Sequence, residues 1–99
     1  MIDENLIYKA LANPFRRDVL KWLKTPNQYF RRDYVDVGRG VPLHAILALS
    51  GLSQPTVSAH VTALIEARLL VATRVSQWLF VTRNEEVIRG FTAQLGAHL

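Results

Sequence analysis

The run Ser53-Gln54-Pro55-Thr56-Val57-Ser58-Ala59-His60 gathers the side chains with most chemistry to offer: hydroxyls, an amide and an imidazole within eight residues. Catalysis is the first possibility to weigh. A nucleophile needs its base within hydrogen-bond reach, and Ser58 and His60 stand two apart, so on a helix their side chains diverge. No Gly-rich phosphate loop or pair of catalytic carboxylates occurs elsewhere, and an enzyme is not expected. Metal binding fares no better. The chain has no cysteine, which removes disulfides, thiolate metal sites and thiol switches together. His44 and His60 are single, and Glu85, Glu86 and His98 lack the paired histidine spacing that would hold a first-row metal. Neither a metal nor a cofactor is expected.

Hydrogen bonding to a macromolecular partner such as DNA suits these side chains better. At about 100° per residue, Thr56, Ala59, Thr62 and Ala63 point most nearly outward from a helix that buries Val57, Val61, Leu64 and Ile65. Ser58 and His60 flank the buried stripe. The outward surface is small and uncharged. Its hydroxyls can donate to or accept from a base or phosphate, and its methyls can touch the thymine methyl group. First-turn N–H groups can also meet a phosphate. An ordinary solvated face would carry Lys and Glu, whereas Glu66 is the only charged residue from Pro55 to Ala67.

Neighbouring elements must position that helix. Leu43, Ile46, Leu47 and Leu49 suit a short buried helix ending at Gly51, and Ser53 is placed to cap the next one. Beyond Arg68 the pattern becomes extended. Leu69 to Arg74 and Gln77 to Arg83 are β-rich runs with Val75-Ser76 between them, a hairpin by pattern. Helix, tight turn, helix and hairpin in that order define a winged helix-turn-helix, mainly α with a small β-hairpin. Such a unit sets one helix in the DNA major groove with the hairpin beside it. Arg74 is the first choice for a minor-groove contact, and Gln77 and Arg83 lie on or near the same wing.

The flanks carry helices as well. Glu4 to Leu11 offers Leu6, Ile7, Ala10 and Leu11 as apolar members. Asn13 caps a second helix with Pro14 in its first turn, and Phe15, Val19, Trp22 and Leu23 form its buried face. Arg17, Lys21 and Lys24 share another face, with Arg16 nearby; this stripe reads either as a solvated surface or as phosphate contacts. Thr25 to Gly40 is the least regular segment. Pro26, Asn27, Gly38 and Gly40 oppose a continuous helix, while Tyr29, Phe30 and Tyr34 oppose disorder, so a loop with a short turn or strand near Tyr34 to Val37 is expected. Arg31 and Arg32 in that loop read as solvated residues or DNA contacts. Asn84 caps a last helix whose Glu85 and Glu86 suit the positive end of its dipole. Its stripe of Ile88, Phe91, Leu95 and Leu99 is expected to meet the first helix and a second subunit.

Ninety-nine residues, 49% of them apolar, suggest one domain over residues 1–99 with a real core. Twelve Lys and Arg against eight Asp and Glu give a net charge of +4, which leans toward an anionic partner. No apolar run approaches the roughly 20 residues that span a bilayer, and the amino terminus has no signal-peptide pattern, so a cytoplasmic protein without a membrane partner is expected.

Taken together, LANPFRRDVLKWL, LSQPTVSAHVTALIEARLLV and TRVSQWLFVTRNEE resemble the ArsR/SmtB family of bacterial repressors over nearly the whole chain. The most specific part is S-Q-P-T-V-S-x-H. The resemblance implies a homodimer joined through its terminal helices (Leu6, Ala10, Ile88, Phe91 and Leu95 here). It also implies an inverted-repeat, double-stranded operator, repressed until an inducer arrives. It further implies that Gln54, Thr56, Ser58 and His60 face DNA, assisted by the wing around Arg74 to Gln77. Among the basic stripe, Arg17 joins them as a candidate phosphate contact. This chain departs from the pattern at Ala59, at a wing tip without glycine, in a longer Thr25 to Gly40 loop and in lacking the cysteine pair. No inducer can be named from it. The other function class open to the fold is a winged-helix module for protein contact without specific DNA binding.

Overall fold

Asparagine and aspartate side chains start three of the helices by accepting otherwise unpaired backbone N–H groups. Asp3 Oδ1 accepts from Leu6, Asn13 Oδ1 from Phe15 and Arg16, and Asn84 Oδ1 from Val87. The computed structural model describes residues 2–99. Its helices are α1 (Glu4–Leu11), α2 (Pro14–Lys24), α3 (Pro26–Tyr29), α4 (Leu43–Ser50), α5 (Gln54–Glu66) and α6 (Glu85–His98). Its strands are β1 (Val41–Pro42), β2 (Leu70–Val75) and β3 (Trp78–Arg83). None of the helices is long and apolar enough to cross a membrane.

α4 and α5 form the helix-turn-helix. Gly51 ends α4 at φ 69°, a left-handed conformation that a residue without Cβ adopts freely. Ser50 Oγ fastens the turn, donating to the Leu47 carbonyl and accepting from Leu52 N–H. Ser53 occupies the cap position of α5, but its side chain does not cap. It pairs instead with Thr56 Oγ1 at 2.8 Å, and the helix opens on the Ser53 carbonyl accepting from Val57 N–H.

Val57, Val61 and Leu64 on α5 are buried as the spacing predicts, against Ile7 of α1, Val19 of α2, Ile46 of α4 and Val81 of β3. Each such aliphatic side chain contributes about 1.5–3 kcal/mol through burial. Leu49 was expected in this core and is exposed. It follows Ala45 on the same side of α4 but lies one turn further on, bordering a surface groove with Tyr29, Phe30 and Tyr34. Phe30 supplies a core side chain from the irregular segment, which is built from α3, a 3₁₀ turn at Arg32–Tyr34 and a backbone pair between Asp36 and Gly40.

The sheet has the order β1-β3-β2, antiparallel throughout. The third strand was not anticipated, since two residues carry no readable alternation. β1 pairs Val41 with Val81 and Pro42 with Phe80. The hairpin turn also differs from expectation by one residue: Val75 pairs with Trp78, leaving Ser76-Gln77 as the turn, with Ser76 at φ 55°. That register makes a β-branched–aromatic cross-strand pair and leaves the two polar residues unpaired at the tip.

α6 packs through Phe91, whose ring meets the edge of Tyr8 at 5.4 Å between centroids. The family resemblance places Ala10 and Phe91 at a subunit interface. They are only 2% and 5% exposed within the protomer itself, so both belong to its own core. Leu6 stays exposed, and Ile88 and Leu95 are half-buried, on the outer side of the two terminal helices.

Candidate nucleic-acid interface

Gln54, Thr56, Ala59 and Thr62 are exposed along α5, while Ser58 and Ala63 are half-buried at its margins. Beside the first turn of α5 rises the hairpin, with Arg74, Ser76, Gln77 and Trp78 exposed around its tip. A cleft of about 420 Å³ separates the two, and Gln54, Ser58, Arg74 and Gln77 all line it. Four of the seven candidate contact residues therefore converge on one place. Arg74 forms no ion pair or hydrogen bond with any described residue, leaving its guanidinium free for an external anion.

His60 and Arg17 do not join them. Arg16 Nε donates to His60 Nδ1 at 3.0 Å, and the Phe15 ring lies 5.2 Å from the imidazole. The ring is thus held against α2 and steadies α5 from behind its open face. Phe15 in turn meets Trp22 edge-on at 5.8 Å, so the half-buried aromatic side of α2 is the seat on which the imidazole rests. Arg17 Nη1 donates to the Leu11 carbonyl, satisfying the end of α1. Lys21 and Lys24 remain exposed on the same helix.

The residues that sequence reasoning missed are aromatic. Trp78 on β3 contacts His44 at the start of α4, with ring centroids 4.7 Å apart. His44 meets Tyr34 edge-on at 5.5 Å, and the Arg31 guanidinium lies 5.5 Å from the Tyr34 ring centre. This chain of rings ties the wing to the Thr25–Gly40 segment. Only the position of Trp78 beside the turn could have hinted at it, because the partners lie far off in sequence.

At the other end of the hairpin, Arg83 is a structural residue. It donates to Glu85 Oε2 at 2.7 Å, to Glu85 Oε1 at 3.1 Å and to the Leu20 carbonyl at 3.2 Å. The hydrogen bonds from Arg83 hold the Glu85 carboxyl below its ordinary value, opposed by partial burial and helped by the charges of Arg83, Arg89 and Lys24. A carboxylate depressed in the fold stabilises above its unfolded pKa, and that stability is lost as pH falls through the folded value. Glu85→Gln should accordingly flatten the acid limb of the stability curve. Because the carboxylate is half exposed, the loss near neutral pH should be about 0.5 kcal/mol, read from urea melts across pH.

No family model matches the chain. Over 84 residues it is 33% identical to YbzH, an HTH-type transcriptional regulator of Bacillus subtilis strain 168, covering 83% of this chain and 84% of that protein. The chain belongs to the HTH-type transcriptional regulators. Its class is therefore a regulatory one and not an enzymatic one. Among solved structures, this HTH-type regulator superposes on an ArsR family transcriptional regulator with a TM-score of 0.73 at 19% identity, over 99% of this chain and 92% of the other. NolR from Sinorhizobium fredii gives 0.60 at 22% identity, over 92% and 79%. Both likenesses show the fold, and it is the winged helix-turn-helix expected from the sequence.

Proposed function

We propose that this HTH-type regulator is a homodimeric repressor, acting in the cytoplasm as a single domain and binding an inverted-repeat operator. α5 enters the major groove and the hairpin lies over the adjacent minor groove. One observation carries the reading: Arg74 and Gln77 of the wing converge with Gln54 and Ser58 of α5, and the Arg74 guanidinium has no partner among the described residues. Gln54, Thr56 and Ser58 read bases or hold phosphates, and Arg74 and Gln77 serve the wing. His60 acts indirectly by fixing α5 against Arg16, and Arg17 supports α1 with its remaining donors toward the backbone of DNA.

Footprinting on the DNA upstream of the protein's own coding region tests this reading. Protection of two half-sites about 10 base pairs apart, fading steeply with added salt, is the expected result. Equal affinity for every duplex at moderate salt would refute it. Within the operator complex, Ala59→Glu places a carboxylate against the major groove and should weaken binding at least about tenfold without altering the thermal melt.

Dimerisation is proposed through the outer sides of α1 and α6, where Leu6, Tyr8, Ile88 and Leu95 leave apolar surface uncovered. Leu95→Glu should give monomers in sedimentation and lower operator affinity at least about a hundredfold by losing one of two half-sites. A variant that stays dimeric would remove Leu95 from the interface. The absence of Lys and Arg from the open side of α5 favours a second reading, a protein-contact module. Such a module would ignore both heparin and random DNA.

A further inference from the structure

We propose that the cleft between α5 and the hairpin binds a small aromatic carboxylate, and that this ligand and DNA exclude one another. The second half rests on the DNA reading above; the first does not.

The cleft is built for a planar ring. Leu47 and Val57 supply an apolar floor. Trp78 and His44 form one wall, their rings inclined at 53°, and the indole stays 45% exposed although it borders that floor. An exposed indole next to apolar side chains is surface that an aromatic ligand would remove from water, with ring–ring contact adding to the burial. About 420 Å³ falls within the usual range of small-molecule sites, roughly 300–1,000 Å³, and has room for two fused rings.

Charge decides what the ring carries. Arg74 is the only Lys, Arg, Asp or Glu in the lining, and its guanidinium has no partner among the described residues. A planar fork of N–H donors matches a carboxylate in two parallel bonds. The amides of Gln54 and Gln77 stand on the same rim and can donate to the remaining lone pairs. An inorganic anion would satisfy Arg74 and leave the floor and the indole uncovered. A neutral arene would cover them and leave the guanidinium unused. Only the combination uses the whole cleft. Gln54, Ser58, Arg74 and Gln77 are also the proposed DNA contacts, so an occupied cleft withdraws them from the operator.

The test uses the full chain and 2-naphthoate, followed by NMR at the two indole N–H signals, assigned with Trp22→Phe. 2-Naphthoate should move the Trp78 signal saturably and leave that of Trp22 in place. Its affinity should exceed that of 2-naphthamide, cyclohexanecarboxylate and inorganic phosphate at least tenfold, and Arg74→Gln should weaken it at least tenfold. The proposal is overturned if Trp78 does not respond, if the neutral amide binds equally well, or if Arg74→Gln changes nothing. Titration without DNA isolates the cleft from the operator. Protein that binds naphthoate but prefers no duplex refutes the DNA reading and leaves the cleft standing. Protein that binds its operator and keeps it at saturating naphthoate refutes the exclusion.

Discussion

Phe91→Ala should destabilise the protomer by about 3–5 kcal/mol, a large share of the roughly 5–15 kcal/mol that holds a domain together. Phe91 is the one buried side chain of α6, and it packs edge-to-face with Tyr8. Without it, α6 is left to the half-buried Val87, Ile88 and Leu95, which cannot collapse into the vacated space without moving the helix. Urea unfolding at two protein concentrations separates this loss from any loss of dimer, since only the latter depends on concentration. A cost below about 1 kcal/mol would mean that α6 is not anchored where the structure places it. A terminal stripe expected to meet a second subunit makes Phe91→Glu look like a way to obtain monomers. Burial changes that outcome: a charge there would unfold the protomer, and Leu95→Glu is the informative interface variant.

Gly40→Ala should rank next, at about 3 kcal/mol or more, combining backbone strain with a lost strand pairing. Gly40 has φ 97°, and a Cβ built on it would overlap the carbonyl of Val81. Relief requires β1 to move away from β3, which uncovers the fully buried Val41 and loosens the base of the hairpin. Gly38 provides the internal control. Its φ is 99°, yet nothing lies near its added Cβ, so Gly38→Ala should carry only the conformational part, about 1 kcal/mol. Chemical denaturation of the two variants side by side checks the difference. Equal costs would show that close approach to β3 is not what position 40 requires.

These two residues also mark how far the sequence could be read. α1 matched its expected bounds, Asn13 and Asn84 capped as their positions suggested, and Val57, Val61 and Leu64 were buried, because caps and periodicity are local signals. A heptad-like stripe says that a residue is covered and cannot say by what. The stripe points Phe91 to the first helix and a second subunit alike, and the resemblance points Ala10 to the subunit, whereas the protomer itself covers both. The turn at Ser76-Gln77 was displaced because the preference of Val75 for Trp78 is a cross-strand property. Of the candidate site, Gln54, Ser58, Arg74 and Gln77 were legible as polar residues on a helix start and a wing. Their convergence on one cleft was not, and neither were the contacts of His60 with Arg16 and of Trp78 with His44. Each joins residues more than thirty positions apart, where no spacing rule reaches.

The unequal flanks of the small sheet bear on how the protein behaves when concentrated. On one side lies β1, two residues long and including Pro42, which has no N–H to offer an incoming strand. On the other lies β2, six residues with Val71 and Ala72 exposed and Arg74 as its single charge. An uncapped edge with one cation is weakly guarded against pairing with a foreign strand. The hazard of self-association by strand addition is therefore one-sided, and the guard on that side is Arg74.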